Sequence, residues 1–301
     1  MTARLWAFTI LIFIWFSAPA WAEAPRVVAS IKPVHSLVAA VMDGTGVPDL
    51  LVNGNGSPHS YSLRPSEARV LSRADIVFWI GPDFETFLQK PLDSLASEAV
   101  RVSWMEHLGV RLLPGRTIDG GESSARDGHV WLDPANAVVM VRAITQTLQR
   151  ADDENADLYA DNAARTIETL ENLDSELERM LVPVQKIPFI TFHDALQYFE
   201  TRYKLNAVGF VAVTPEQMSG AKHVAALTAD ITAQNPVCIF SEPGFASGLV
   251  QTLMAGTDLK RGTLDPEGAA LRPGPDFYFD LMRGLADNLT ACLSGTAVHD
   301  R

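Results

Sequence analysis

Three of the chain's seven histidines stand at the ends of short β-rich runs. His193 closes Pro188-Phe189-Ile190-Thr191-Phe192. His129 follows a polar, glycine-rich stretch and opens Val130-Trp131-Leu132. His59 lies in Asn53-Gly54-Asn55-Gly56-Ser57-Pro58, a loop leaving a short strand. Neutral imidazole is a good ligand for Zn²⁺, and ligands of open α/β sheets gather beyond the carboxyl ends of the strands. Two acids share that placement: Asp265 after Arg261-Gly262-Thr263-Leu264, and Glu242 after Val237 to Ser241. Three imidazoles and one carboxylate suit a tetrahedral zinc site. Each residue also has a plainer reading. A single loop histidine commonly faces solvent or makes one hydrogen bond, and an acid before proline, as in Asp265-Pro266 and Glu242-Pro243, caps a turn. No His-x-x-x-His or Cys-x-x-Cys pair is present. Of the other histidines, His35 reads as packing, His107 and His223 as helix surface, and His299 as tail.

The elements that must position these residues alternate between strand and helix. Strands are expected over 26–31, 49–52, 75–80, 187–192, 207–211, 237–240 and 261–264. Helices are expected over 36–42, 65–74, 84–96, 134–150, 194–203, 215–234, 246–255 and 276–293. Such alternation builds open, mostly parallel sheets covered on both faces. Asp133-Pro134 is a good helix start, with Asp as cap and Pro in the first turn. Between the halves, Tyr159, Ala163, Ile167, Leu170, Leu173, Leu177 and Met180 recur in steps of three and four, with no Gly or Pro before Pro183. About 28 helical residues span ~40 Å, enough to run the height of two lobes and join them rigidly; two shorter helices with a break are the alternative. Residues 117–128 read as a mobile surface loop. The expected organisation is a leader over 1–22, an N-terminal lobe over 23–150, a connecting helix over 151–183 and a C-terminal lobe over 184–301.

The N-terminus predicts export. Arg4 precedes an uncharged apolar run from Trp6 to Phe16, and Ala20-Trp21-Ala22 offers small residues to a signal peptidase. The run is too short for a spanning helix, which needs ~20 residues, and no lipid-anchor Cys follows it. The formal charge of −12 becomes −13 without the leader, which holds one Arg and no acid. That balance argues against nucleic acid or an anionic membrane as partner. Cys238 and Cys292 form an even pair, and an oxidising compartment allows one disulfide between them; two buried thiols are the alternative. From the residues alone, the reading stops at a two-lobed exported binding protein, with a metal as candidate cargo.

Five ordered motifs take it further. Ser57-Pro58-His59-Ser60-Tyr61-Ser62-Leu63-Arg64-Pro65, His129-Val130-Trp131-Leu132-Asp133-Pro134, Phe192-His193-Asp194-Ala195 with Tyr198-Phe199, Ser241-Glu242-Pro243, and Gly262-Thr263-Leu264-Asp265-Pro266 resemble the metal-binding proteins of ABC importers. Ser30-Ile31-Lys32-Pro33 with His35-Ser36-Leu37 is similar to that family's opening strand. The resemblance implies two similar α/β lobes joined by a long rigid helix. It implies a metal held in the cleft by His59, His129, His193 and Asp265, and a monomer that hands its cargo to a membrane permease from the periplasm. Manganese and iron members carry Glu at the third position, so His193 points to zinc. The cysteine pair resembles the disulfide of zinc-type members. The chain departs from many zinc members in two ways: residues 117–128 contain no histidine, which weakens a role in meeting a metallochaperone, and Pro58 stands where some carry Glu. The rival expectations are a manganese or iron cargo, and a secreted zinc hydrolase with Glu242 as general base.

Overall fold

The computed structural model describes residues 24–53, 56–118, 121–215, 220–245 and 248–295; the expected leader lies outside them. The first half runs β1 (Val27–Ala29), α1 (Lys32–Val41), β2 (Asp49–Leu50), α2 (Pro65–Leu71), β3 (Ile76–Trp79), α3 (Gln89–Leu95) and β4 (Val100–Ser103). Its strands form one parallel sheet in the order β2-β1-β3-β4. A hairpin of β5 (Pro114–Arg116) and β6 (Glu122–Arg126) leads to α4 (Pro134–Ala151) and α5 (Ala156–Leu181). The second half runs β7 (Phe189–His193), α6 (Gln197–Tyr203), β8 (Ala207–Ala212), α7 (Ala221–Gln234), β9 (Cys238–Ser241), α8 (Gly248–Met254), β10 (Lys260–Thr263) and α9 (Phe277–Ser294). Its sheet is also parallel, in the order β10-β9-β7-β8.

Three local expectations change. The helix expected from Phe84 starts only at Gln89, because the Glu85 carboxylate turns back to accept from the N–H groups of Ile80 and Gly81 at 2.6 and 3.4 Å. Val100–Ser103 is an edge strand that its short, half-exposed pattern did not announce. Residues 117–128, read as a mobile loop, lie largely within the β5–β6 hairpin.

Every residue of β1, β3, β7 and β9 is buried, as expected of parallel strands covered on both faces. The outer face of the first sheet packs Val28, Val77 and Trp79 against Leu71, Leu88 and Leu92. The outer face of the second packs Ile190, Val211 and Ile239 against Leu227, Ile231 and Val250. The inner faces do not end at separate cores. One apolar cluster runs from Val27 and Phe78 through Leu37, Ile144, Leu173 and Leu285 to Phe189 and Phe240. The helices α1, α4, α5 and α9 therefore form a central layer shared by both lobes.

α5 spans 26 residues, or ~39 Å. It buries Tyr159, Ala163, Leu170, Leu173, Leu177 and Leu181 on one stripe, each Leu contributing roughly 1.5–3 kcal/mol. Asn162 is buried on the same stripe and donates to the carbonyls of Val41 and Asp43, capping the end of α1. Polar ties cross the lobes beside this layer. The Lys32 ammonium donates to the carbonyls of Gly268, Ala269 and Leu271 at 2.8–3.2 Å. Trp131 Nε1 donates to Pro266 O, and the Tyr278 hydroxyl donates to Trp131 O. A Cys238–Cys292 disulfide joins β9 to α9.

Candidate metal centre

The three strand-end histidines meet. One ring nitrogen from each of His59, His129 and His193 lies within 4.8 Å of the other two. His193 is the last residue of β7, and the parallel sheet aims it at the cleft. His129 sits between the hairpin and α4, whose start is fixed by Asp133: its carboxylate accepts from Ala135 N at 2.9 Å, and Pro134 fills the first turn. His59 belongs to the loop between β2 and α2, where its backbone N–H donates to the Ser57 hydroxyl at 3.3 Å.

The rings of His129 and His193 are almost fully buried, and their Nε2 atoms face each other at 3.3 Å. Two nitrogens on a tetrahedral zinc with bonds of ~2.0–2.1 Å stand ~3.3–3.4 Å apart. Each ring is held from behind by a carboxylate. His129 Nδ1 donates to Asp127 Oδ1 at 2.8 Å, and His193 Nδ1 donates to Glu242 Oε1 at 2.5 Å. These contacts assign the Nδ1–H tautomer to both rings and leave the Nε2 lone pairs pointing at one centre. Such an arrangement calls for a cation.

The electrostatics of the two rings differ. Burial, aided by the charge of His193, pushes His129 well below the usual histidine range. Burial also opposes charge on His193, but the Glu242 carboxylate outweighs it and raises that ring. Burial pushes Asp127 up to about 7, against the pull of the His129 N–H and Arg116.

An aromatic wall backs the site. The Phe84 ring lies edge-on to His59 and His129, with centroids 4.4 and 5.0 Å away, and Trp131 lies 5.2 Å from His129. Gly128 makes room for it: a Cβ there would stand 2.5 Å from Phe84.

Asp265 is not in the three-nitrogen group. It lines an inter-lobe cavity together with Pro58, Glu242 and Lys32, and its carboxylate accepts from the backbone N–H groups of residues 267–270. Burial raises its pKa against those contacts. Glu242, considered at sequence level as an acid near the metal, is committed to His193 instead. Asp127 was missed altogether. Its signal was present as Asp-x-His, a spacing that lets a carboxylate reach back to both the N–H and Nδ1 of the histidine.

The family model for zinc-uptake complex component A, periplasmic, matches residues 27–292. The high-affinity zinc uptake system protein ZnuA of Brucella suis is 39% identical over 311 residues, covering 90% of this chain and 92% of that protein. A crystal structure of ZnuA superposes with a TM-score of 0.77 at 23% identity, covering 90% of this chain and all of the other. A mutant of the laminin-binding adhesin Lmb of Streptococcus agalactiae superposes with a TM-score of 0.78 at 22% identity, covering 89% and 99%. Such distant structural likeness establishes the two-lobed α/β fold, while the match over nearly all of the described chain and the 39% relative establish kinship: the chain belongs to the family of the periplasmic component A of zinc-uptake complexes.

Proposed function

We propose that the chain captures Zn²⁺ in the periplasm and delivers it, as a monomer, to the permease of an ABC-type zinc importer. One observation carries this reading: His129 and His193 present opposed Nε2 lone pairs at tetrahedral-zinc separation, each ring fixed by a carboxylate, with His59 as third donor. Asp265 borders the neighbouring cavity and is not committed to a histidine; it moves onto the ion as fourth ligand, with its loop N–H groups retaining the other oxygen. The acidic chain, at −12, favours a cation as cargo. Family kinship supports the permease as partner, and the 39% relative is itself a zinc uptake protein.

The role is binding without catalysis. Glu242, the only base the hydrolase reading offered, is occupied by His193 Nδ1. Among the described residues, no helix is long and apolar enough to cross a membrane.

Competition titrations against a chromophoric chelator test the reading on the wild type and on His59→Ala, His129→Ala, His193→Ala and Asp265→Asn. Each substitution is expected to weaken zinc binding at least tenfold. Wild-type affinity in all three histidine variants would overturn the site, and wild-type affinity in Asp265→Asn would give the fourth position to water. A preference for Mn²⁺ over Zn²⁺ in direct competition would overturn the cargo, because an imidazole-rich set favours zinc over manganese.

A further inference from the structure

The second and third histidines come from different lobes, yet their neighbourhoods are fastened together by a polar clasp apart from the ligands themselves. Arg116, on β5 of the hairpin that leads to His129, extends into the C-terminal lobe. Its Nε donates to Asp194 Oδ1 at 2.8 Å, its Nη2 donates to the same oxygen, and its Nη1 donates to Glu200 Oε2 at 2.9 Å. Asp194 follows His193 directly, and Glu200 lies on α6 just beyond. Both carboxylates are almost fully buried. Burial works against the guanidinium charge, and Glu200 and Asp194 outweigh it. The Phe210 ring lies 5.4 Å from the guanidinium.

A second point of the clasp closes the hairpin's base. Asp127 N donates to Leu113 O at 2.9 Å, drawing the two strands together. The Tyr198 hydroxyl, from α6 of the other lobe, sits between them: it accepts from Leu113 N at 3.0 Å and donates to Asp127 O at 2.8 Å. Leu113, Arg116 and Asp127 of one lobe are thus tied to Asp194, Tyr198 and Glu200 of the other, with His193 beside one end of the clasp and Asp127, the carboxylate behind His129, at the other.

We infer that Arg116 is a positioning residue: by joining the β5–β6 hairpin to the His193–Glu200 segment, it holds His129 and His193 at chelating distance before the ion arrives. His59 lies outside this clasp, on the β2–α2 loop. The inference rests on the three-histidine reading of the site. Carboxylates that act on a ligand at one remove typically contribute 10–100-fold to metal affinity. The sign separates positioning from simple charge. Arg116 is a cation near a cation site, so removing only its charge strengthens zinc binding, whereas removing a positioner weakens it.

The experiment measures zinc affinity by chelator competition for Arg116→Gln in three backgrounds: wild type, His59→Ala and His193→Ala. Thermal unfolding of the zinc-free proteins is followed in parallel. The expected result is a loss of about tenfold in the wild-type and His59→Ala backgrounds, where the 129–193 pair survives. In His193→Ala the loss is expected to stay within twofold, because there is no pair left to position. Arg116→Lys retains one carboxylate contact and is expected to recover part of the loss. If Arg116→Gln fails to fold, Glu200→Gln, which leaves the Asp194 contact in place, is expected to cost a few-fold in the same two backgrounds and nothing in His193→Ala. Unchanged or tighter zinc binding, or an equal loss in all three backgrounds, overturns the inference. Failure of the wild type itself to bind zinc overturns the underlying site reading instead, so the two failures are distinct.

Discussion

Glu85 offers a sharp test of how burial shapes this protein. Its side chain is fully buried, with the carboxylate against the backbone N–H groups of Ile80 and Gly81 and the preceding residue, Phe84, forming the wall of the metal site. Burial lifts its pKa from 4.5 to about 7, against the pull of the Ser30 hydroxyl and those N–H groups. A folded pKa above the unfolded one means that the folded state binds the proton more tightly. The stabilisation from protonated Glu85 is therefore complete below about pH 4.5 and is lost as pH rises through about 7. The full difference corresponds to roughly 3 kcal/mol. Glu85→Gln keeps an acceptor for Ile80 N and cannot ionise. Its stability relative to the wild type is expected to climb by about 3 kcal/mol between pH 4.5 and pH 8, or roughly 6 °C or more in melting temperature. Urea unfolding of the zinc-free proteins in chelator, at pH 5, 6, 7 and 8, reads this difference directly. Asp127, also raised to about 7, is common to both proteins and cancels. A constant offset between the two curves across that range would refute the reasoning.

Three further outcomes are expected. Glu242→Gln removes the charge that fixes His193 Nδ1 and should weaken zinc binding about 10–100-fold; an unchanged competition titration would deny it an orienting role. Zinc binding should weaken as pH falls, because His193, raised by Glu242 despite burial, gains a proton that competes with the ion. Calorimetry in buffers of different ionisation heat should show more protons released per zinc at pH 6 than at pH 7.5, and affinity constant from pH 5 to 7.5 would contradict this. Replacing Cys238 and Cys292 by Ser opens a loop with a sequence separation of 54, which the chain-entropy estimate equates to ~4 kcal/mol. Zinc affinity should stay within twofold, and a tenfold loss would show that the disulfide shapes the site.

The features legible in the sequence were those with a strong local signature. The long stripe from Tyr159 onward is visible as α5 because apolar side chains recur at helical spacing over many turns. His193 was locatable because Phe189–Phe192 is apolar throughout and the histidine ends it. Arg116 was not legible, since its partner Asp194 lies 78 residues away, and Asp127 was marked only by the short Asp-x-His spacing, with no apolar pattern to announce its burial. The hairpin looked like a loop because Glu122–Arg126 is polar, and its base is closed by the Tyr198 hydroxyl of the other lobe, which bonds Leu113 N and Asp127 O. The helical stripe was incomplete in detail: Ile167 and Met180 pack half-buried against the core, and the buried face also includes Asn162 and Thr166, polar residues with backbone partners of their own.

The shared central layer carries a consequence for how the chain can be taken apart. A single apolar cluster threads both lobes through α1, α4, α5 and α9, so neither half has an interior of its own on that side. Cutting the chain between α4 and α5 would expose Ile144, Leu148, Leu170 and Leu173 together, leaving two fragments that each lack a face to fold against. Heat should therefore melt the protein in one cooperative step, with equal calorimetric and van't Hoff enthalpies. The lobes are modules in topology alone, because one interior serves both.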